Sequence, residues 1–583
     1  MIKTLLSCVR EYKKDSILTP VYVVVESLLE VLIPTLMAAL IDYGIMGKNM
    51  GNVLKIGGVL IICSIISLLA GFLAGRSAAI AASGFAKNLR RDMYYNVQKF
   101  SFSNIDKFST ASLVTRLTTD VTNLQNSYMM IIRLAVRSPL MMIFALIMVF
   151  RINKEISLIF LIIIPLLFIA LILIVTRVHP VFVRVFKTYD KLNGVTQENL
   201  RGIRVVKTFT REEHEVGKFS KISQMIFKDF SKAEKVLALN MPIMQFSIYA
   251  AMIMISWLGA KAIVASGNNP AIGLSTGDLT GFITYTMQIL MSLMMLSMVF
   301  AMIIISRASA ERITEVLREH TDLENCEDPI FEVKNGAIDF ENVTFQYSSK
   351  NEKPVLDCIN LSINSGETVG VIGGTGSSKS SFVQLIPRLY DVVQGQVRVG
   401  GKDVRTYDIE TLRNQVAMVL QKNVLFSGTI KENLLWGDEN ATDEDIVRVC
   451  KFAQADTFIQ DFPDKYNTYL EQGGSNVSGG QKQRLCIARA LLKKPKILIL
   501  DDSTSAVDTK TDSEIRRAFK EEIPDTTKII IAQRINSVKD ADKIVVLDDG
   551  KINAVGTHDE LLQNCEIYKE VFDSQNKGNS ING

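Results

Sequence analysis

Residues 369–381 read Val-Gly-Val-Ile-Gly-Gly-Thr-Gly-Ser-Ser-Lys-Ser-Ser, an apolar strand that leads into a turn rich in glycine and serine. When such a turn precedes a helix, its backbone N–H groups and the helix N-terminus can hold phosphates. The pattern predicts that Lys379 reaches the β- and γ-phosphates of a nucleotide and that the Ser380 hydroxyl binds Mg²⁺. Ser378 stands where this kind of loop usually has its second glycine. Because similar turns are common, the loop alone leaves nucleotide binding open.

The segments downstream of the loop strengthen the prediction. Ile497-Leu-Ile-Leu-Asp-Asp502 is an apolar strand that ends in carboxylates, which suits Asp501 to the Mg²⁺ shell. Short β-branched runs alternate with polar helical segments from about Asn335 onward, a pattern that predicts a mostly parallel α/β sheet. These runs are residues 338–340, 368–372, 497–500, 529–532 and 544–547.

Two further runs carry a resemblance to a known family. Residues 476–484 read Asn-Val-Ser-Gly-Gly-Gln-Lys-Gln-Arg, and residues 500–508 read Leu-Asp-Asp-Ser-Thr-Ser-Ala-Val-Asp. Together they resemble the ATP-binding cassette of ABC transporters, in which the first run is the signature. Residues 102–121 and 199–209 look like the two cytoplasmic loops of type IV exporters, so the resemblance covers essentially the whole chain. It implies ATP and Mg²⁺ as ligands, and a dimer in which each ATP lies between one chain's phosphate loop and the other chain's signature.

The resemblance also implies a role for each matching residue. Tyr347 stacks on adenine, Gln421 contacts Mg²⁺ and the attacking water, and Asp508 ends a loop that reports across the dimer interface. The expected ATP contacts are Tyr347, Gly373, Thr375, Gly376, Ser377, Ser378, Lys379, Ser380 and Ser381. The expected Mg²⁺ ligands are Ser380, Gln421 and Asp501, and the expected contacts with the partner's ATP are Ser478, Gly479, Gly480 and Gln481.

Two catalytic positions depart from the family pattern. Hydrolysis needs a carboxylate that orients the attacking water, with a positioning group near the γ-phosphate. The family has glutamate and histidine at positions where this chain has Asp502 and Gln533, so the candidate catalytic set is Asp502, Gln533 and Gln421. Aspartate is one methylene shorter, and a misplacement of about 1 Å can cost on the order of 10²-fold in rate. Glutamine keeps a hydrogen bond but cannot carry a proton or a positive charge.

The departures, with Ser378 as the third, surround a single ATP, whereas the signature differs from the usual pattern only at Val477. This distribution resembles that of bacterial heterodimeric exporters, in which one subunit carries a degenerate site that binds ATP but turns over slowly. The expectation is therefore that a second, homologous half supplies the complete catalytic site and that this chain donates its signature to it. A homodimer with slow ATPase and a regulatory ATP-binding subunit remain as alternatives.

The N-terminal half predicts a membrane domain. The composition is 48% hydrophobic with a mean hydropathy of +0.20, and a hydrocarbon core needs roughly 20 apolar residues of helix. Six stretches qualify: residues 18–45, 56–75, 126–150, 157–176, 236–260 and 279–306. The longer, basic connections face the cytoplasm by the positive-inside rule, which places both termini inside. The predicted domains are an interfacial elbow helix (1–17), a six-helix membrane domain with long cytoplasmic helical extensions (18–310), a linker (311–335), the ATP-binding cassette (336–575) and a flexible tail (576–583).

Charges within the predicted membrane helices are candidates for function. Glu26 and Glu30 share a face of the first helix, and Arg133 and Arg137 have the same spacing on the third. The two pairs either neutralise each other or leave an acidic cavity for cationic drugs. Methionines crowd the sixth helix, which suits either a promiscuous apolar path or ordinary packing. They are Met287, Met291, Met294, Met295, Met298 and Met302, of which Met291, Met295 and Met298 are the path candidates.

Taken together, the sequence predicts ATP-driven, multidrug-type export of hydrophobic or amphipathic compounds across the plasma membrane. Peptide, haem and lipid remain alternative substrates. A net charge of +4 from 65 basic and 61 acidic residues gives no support for nucleic-acid binding. The seven cysteines lie scattered without metal-site or redox spacing, which indicates reduced thiols.

Overall fold

A computed structural model describes residues 1–268, 273–347, 353–374, 376–502 and 507–579. By their contacts the residues form two compact units. The first consists of Met1–Gln98 and Thr110–Glu319, and the second of Lys99–Ser109 and His320–Gly583. The short segment Lys99–Ser109, between the two parts of the first unit, thus belongs to the second unit.

The first unit is helical, and within the described residues it contains the six apolar spans that the sequence predicts. They lie within Arg10–Met46, Met50–Gln98, Thr110–Ile152, Lys154–Arg201, Glu212–Ser266 and Thr276–Phe300. The α-helices of this unit are α1 (Ile2–Ser7), α2 (Lys13–Ala39), α3 (Met50–Gln98), α5 (Thr110–Thr115), α6 (Val121–Ile152), α7 (Lys154–Arg201), α8 (Ile203–Thr208), α9 (Glu212–Leu237), α10 (Asn240–Ser266) and α11 (Thr276–Arg318). The short α4 (Phe102–Lys107) lies in the second unit. The prediction of six helices is confirmed.

Much of the long connections predicted after the second and fourth membrane spans consists of continued helix. The helix α3 has 49 residues and α7 has 48, so at 1.5 Å per residue each is about 70 Å long, more than twice the roughly 30 Å of hydrocarbon. The helices are therefore much longer than a membrane is thick, in agreement with the predicted long helical extensions.

Polar contacts join distant helices of this unit. The Asp42 carboxylate accepts hydrogen bonds from Ser275 Oγ and from the backbone N–H of Gly277 (3.0 Å), at the start of α11. Asp120, at the start of α6, is 1% exposed and accepts hydrogen bonds from Ser309 Oγ (2.8 Å) and Arg312 Nε (2.7 Å). The C-terminal part of α11 is thus fixed to the start of α6 by a buried carboxylate.

The second unit is an α/β domain with strands β1 (Ile338–Phe345), β2 (Leu356–Ile363), β3 (Thr368–Ile372), β4 (Gln394–Val399), β5 (Lys402–Asp403), β6 (Val416–Val419), β7 (Gly428–Thr429), β8 (Tyr469–Leu470), β9 (Ile497–Asp501), β10 (Thr527–Ile531), β11 (Lys543–Asp548) and β12 (Lys551–Gly556). The main sheet has the order β12-β11-β3-β10-β9-β6, in which only β12 runs antiparallel to its neighbour. A second, antiparallel sheet has the order β2-β1-β4-β5, and β7 pairs with β8. The predicted α/β class is confirmed.

The helices of this domain complete its layers. They are α12 (Lys379–Gln384), α13 (Ile409–Gln415), α14 (Ile430–Leu434), α15 (Asp443–Phe452), α16 (Asp456–Gln460), α17 (Gly479–Leu492), α18 (Thr509–Glu522), α19 (His558–Asn564) and α20 (Glu566–Asn579). Every residue of β9 and β10 is buried, which is typical of central parallel strands covered on both faces.

Two boundaries differ from those drawn on the sequence. The helix α11 continues to Arg318, so residues 311–318 of the predicted linker are helical. The helix α20 continues to Asn579, which places the start of the predicted tail inside a helix. Residues 580–583 of that tail lie outside the described residues. Residues 311–318 contain no proline or glycine that would end α11, whereas α20 continues through Gly578.

Candidate functional site

Four segments of the site meet because their strands are parallel neighbours. The register places Ile531 opposite both Val371 and Asp501, and Val419 opposite Leu500. The carboxyl ends of β3, β6, β9 and β10 therefore lie at one edge of the sheet. Ligands of open parallel sheets bind at this edge. The phosphate loop, Gln421, Asp501 with Asp502, and Gln533 each follow or end one of these four strands.

The phosphate loop is organised around its lysine. Lys379 Nζ donates hydrogen bonds to the carbonyl oxygens of Gly373 (2.9 Å) and Gly374 (2.8 Å) and to Ser377 Oγ (3.1 Å). Burial lowers the pKa of Lys379, and the carboxylates of Asp501 and Asp502 partly oppose this shift. The loop thus presents a fixed cation. Thr375, an expected ATP contact, lies outside the described residues.

Ser378 occupies a backbone conformation that favours glycine. Its φ is +66° and its ψ is 21°, in the left-handed region, directly before α12. For an L-residue this conformation costs roughly 1–2 kcal/mol, because Cβ approaches the following carbonyl oxygen. Position 378 therefore has the backbone conformation that the usual glycine of this loop adopts most readily.

The structure brings two predicted Mg²⁺ ligands together. Asp501 is 5% exposed at the end of β9, and its carboxylate accepts a hydrogen bond from the Ser380 side chain. Burial raises the pKa of Asp501 and the charge of Asp502 adds to this, whereas the bond from Ser380 and the charge of Lys379 lower it.

Carboxylate and hydroxyl oxygens suit Mg²⁺, which is usually held by one or two protein carboxylates together with phosphates and water. In the described part of the chain, no group of three or more His, Cys, Asp or Glu side chains could hold a metal ion. The site therefore fits a nucleotide-bound Mg²⁺ better than a cation held by the protein alone.

The two predicted catalytic residues Asp502 and Gln533 contact each other. Gln533 Nε2 donates a hydrogen bond to Asp502 Oδ2 at 2.7 Å, and Gln421 Nε2 lies 3.4 Å from the same oxygen. The φ of Asp502 is +47°, and its N–H donates to the carbonyl oxygen of Ile531. The short carboxylate is thus held between two amides.

Tyr347 presents an aromatic face beside the phosphate loop. The ring is 46% exposed, and its hydroxyl shares a 2.8 Å hydrogen bond with Ser381 Oγ. Phe345 and Tyr390 pack edge-on against it, with centroids 4.9 and 5.1 Å away. An edge-supported, exposed ring is suited to stacking on a planar base.

The signature begins a helix. Ser478 is the N-cap of the 14-residue α17, and it forms a capping box with Gln481 (Gln481 N to Ser478 Oγ 3.3 Å, Ser478 N to Gln481 Oε1 2.9 Å). Ser478 and Gly479 are exposed, whereas Val477 is buried in the core. An exposed helix N-terminus with free backbone N–H groups favours an anion.

Asp508 caps the next helix, α18. Its carboxylate accepts the N–H of Thr511 at 3.0 Å, and that bond lowers the pKa of Asp508. The first two residues of the predicted reporting loop (505–508) lie outside the described residues.

The two arginines of the third membrane helix differ in their ion pairing. Arg137 donates to both oxygens of Glu30 (2.7 and 2.8 Å) and lies 3.1 Å from Glu26. Glu26 is 6% exposed, and its Oε2 has no hydrogen-bond partner among the described residues. Across those residues Arg133 makes no ion pair, and its guanidinium lies beside Gly75. Neutralisation between helices therefore describes Arg137 and not Arg133.

The methionines of α11 also divide into two groups. Met291, Met295 and Met298 are 53%, 44% and 58% exposed in this chain, whereas Met294 packs against a buried cluster. The three path candidates thus lie on the side of α11 that the chain's own helices leave uncovered.

Two residues in the second unit had no signal in the sequence patterns. The Tyr390 hydroxyl donates a 2.8 Å hydrogen bond to Asp106 of α4, and burial together with Asp106 raises the pKa of Tyr390. Gln575 of α20 bonds to the backbone of Gln533, 42 positions away. Neither contact follows from helical or strand periodicity, because each joins elements that are distant in sequence.

Comparison with known proteins gives a consistent result along the whole chain. The family description "ABC transporter transmembrane region" matches residues 17–294, and "ABC transporter" matches residues 356–505. The chain is 35% identical over 570 residues to the ABC transporter ATP-binding protein YfiB of Bacillus subtilis, with 98% of each covered. It is 31% identical over 490 residues to an ATP-dependent lipid A-core flippase of Desulfotalea psychrophila, with 84% of each covered. A bacterial Atm1-family ABC exporter with ATP bound shares the fold, with a TM-score of 0.80, 21% identity, and 96% of this chain and 98% of that one covered.

Proposed function

Because the chain belongs to the ABC transporter family, we propose that it is one half of a heterodimeric exporter whose own ATP site hydrolyses slowly. The complex moves hydrophobic or amphipathic compounds across the plasma membrane, with both termini and the ATP-binding domain on the cytoplasmic side. The second half is a homologous chain with a complete catalytic pair.

The observation that carries the proposal is the contact between Asp502 and Gln533. The Asp502 carboxylate is one methylene shorter than glutamate, and its Oδ2 already accepts the 2.7 Å bond from Gln533. Both features hold the carboxylate away from a water in line with the γ-phosphate. The neutral amide of Gln533 cannot supply a positive charge to the transition state.

Most of the residues expected to bind ATP and Mg²⁺ match the family pattern, unlike the pair expected to hydrolyse ATP. Lys379 is a cation fixed among loop carbonyls, Ser380 and Asp501 are paired as Mg²⁺ ligands, and Tyr347 offers an exposed ring. Bound MgATP supplies the negative charge and the phosphate oxygens that these groups recognise. The chain thus retains ATP while Asp502 orients water poorly.

The exposed signature supports a role in the partner's site. Ser478 and Gln481 form a capping box that occupies their own N–H groups and fixes the N-terminus of α17, so Gly479 and Gly480 supply the N–H groups for an anion. In the proposed dimer this helix end faces the γ-phosphate held by the partner and completes its catalytic site.

The membrane half supports an amphipathic cargo. The exposed side chains of Met291, Met295 and Met298 offer flexible, polarisable contacts for an apolar part of the cargo. The carboxylates of Glu26 and Glu30 on α2 offer a polar contact. The relative named as a lipid A-core flippase acts on an amphiphile, which favours lipid-like compounds as a second substrate class beside drugs.

The test compares the chain alone with the chain in its native complex. The tagged chain is purified from its own membrane, co-purifying halves are identified by mass spectrometry, and ATPase and transport are measured in proteoliposomes for each assembly. The proposal expects slow turnover alone and fast, substrate-stimulated turnover with the second half. Robust turnover by the chain alone would indicate a homodimer, and ATP binding without transport in every assembly would indicate a regulatory subunit.

A further inference from the structure

The last helix, α20, contacts the backbone beside Gln533. We call residues 532–537, which follow β10, the switch loop. Gln575 Nε2 donates a 2.8 Å hydrogen bond to the carbonyl oxygen of Gln533, and Gln575 Oε1 accepts a 2.9 Å bond from the N–H of Ile535. One side-chain amide therefore binds the loop on both sides of Arg534.

Both ends of this contact are firmly anchored. On the helix, Tyr568 is fully buried and its hydroxyl is 2.7 Å from His558 Nδ1, while Phe572 packs against the same core. On the loop, Ile535 is 1% exposed. The apolar side chains hold α20 against the core. The Gln575 amide is not needed for that packing, and its two hydrogen bonds therefore fix the position of the switch loop.

From these contacts we infer that Gln575 is a positioning residue for the ATP site: it holds the switch loop so that the Gln533 amide reaches the γ-phosphate side of the site. The side-chain Nε2 of Gln533 lies 2.7 Å from Asp502 Oδ2. The backbone carbonyl oxygen of the same Gln533 accepts the hydrogen bond from Gln575. A backbone shift of about 1 Å would move the amide out of hydrogen-bond range. The inference rests on the proposed ATP site and adds the C-terminal helix to its machinery.

The experiment uses the full-length chain in lipid nanodiscs and measures dissociation constants for MgATP and MgADP. Gln533 acts near the γ-phosphate, so losing its position weakens MgATP binding and leaves MgADP binding unchanged. For Gln575→Ala we expect about a tenfold loss of ATP-over-ADP preference, the effect of one hydrogen bond to a charged group. Gln533→Ala gives the same loss, and the Gln533→Ala/Gln575→Ala double variant loses no more than either alone.

Matched variants separate positioning from simple stabilisation. Ser574→Ala changes the adjacent, exposed residue of α20 and leaves the preference unchanged. Gln575→Glu keeps an acceptor for the Ile535 N–H but places a carboxylate oxygen, which cannot donate, against the Gln533 carbonyl, so it shows the full loss. Equal weakening of MgATP and MgADP binding by Gln575→Ala, or effects of the two alanine variants that add fully, would overturn the inference.

Hydrogen exchange gives a readout that does not need nucleotide. In Gln575→Ala the amide of Ile535 loses its acceptor, and we expect at least tenfold faster exchange in the peptide covering residues 532–537. Unchanged exchange there overturns the inference even if ATP binds normally. A wild-type chain that fails to bind MgATP refutes the proposed ATP site instead, while the exchange result still decides whether Gln575 holds the loop.

Discussion

If the proposed ATP site is limited by the reach of Asp502, replacing Asp502 with glutamate should accelerate hydrolysis there. In the structure the carboxylate is one methylene short and its Oδ2 is engaged at 2.7 Å by Gln533. Glutamate carries its carboxylate about 1 Å further, and an error of that size is worth on the order of 10²-fold in rate, or about 2.7 kcal/mol of barrier. We therefore expect Asp502→Glu to accelerate hydrolysis at this site by about 100-fold, and Gln533→His added to it to increase the rate further.

The assay is single-turnover cleavage of γ-labelled ATP in the native complex with the other ATP site inactivated. Asp502→Asn is the matched control, because it keeps the length of the native side chain without its charge, and we expect it to abolish the residual rate. MgATP binding is measured in parallel and should be the same in all variants. A rate for Asp502→Glu within twofold of the native chain, with binding intact, would refute the argument that carboxylate reach limits this site.

Three further perturbations test other parts of the structure. Ser378→Gly should change the MgATP dissociation constant by less than about threefold, because the backbone already adopts the left-handed conformation, whereas Ser378→Val should weaken binding at least tenfold in the same titration. Arg137→Met leaves Glu26 and Glu30 unpaired and should lower unfolding free energy by about 3 kcal/mol, measured by denaturation in detergent. Arg133→Met, its matched control, should cost less than about 1 kcal/mol, and equal losses for both would contradict the ion-pair assignment. Burial raises the pKa of Asp501 above its ordinary value of 3.8, so folding favours the protonated carboxyl. The stability that the protonated carboxyl contributes is fully present below pH 3.8 and is lost as pH rises through the folded pKa. Mg²⁺-dependent ATP binding should weaken on acidification at a higher pH than an ordinary aspartate would give, and Asp501→Asn should remove that pH dependence in titrations with and without Mg²⁺.

The membrane architecture was accessible from the sequence because it depends on composition over short segments. The fourth span, for example, contains no charged residue between positions 157 and 176 and is part of one helix, α7. A hydrocarbon solvent admits only helices or closed barrels, so an apolar run of this length has few alternatives. The ends of helices were less accessible: α11 and α20 both continue beyond the predicted boundaries.

The pairing of the membrane charges needed the three-dimensional structure. Arg133 and Arg137 have the same residue type and lie on the same helix, yet only Arg137 forms an ion pair among the described residues. A difference of one helical turn decides which guanidinium faces the carboxylates, and sequence spacing gives both arginines the same face. Selection between them depends on the position of α2 against α6.

The sequence by itself determined the kinds of element and the residue types of single segments. These are six apolar helices, a glycine- and serine-rich loop before Lys379, and an apolar strand ending in Asp501, with Asp502 and Gln533 as the predicted catalytic positions. These follow from local patterns, since backbone geometry and solvent impose the same periodicity wherever such segments occur. Only the tertiary structure decided that the side-chain amides of Gln421 and Gln533 both lie against Oδ2 of Asp502. It also decided that Gln575 of α20 bonds to the backbone of the switch loop at Gln533. Those contacts depend on the register of parallel strands and on distances near 3 Å, which arise when segments far apart in the chain pack together.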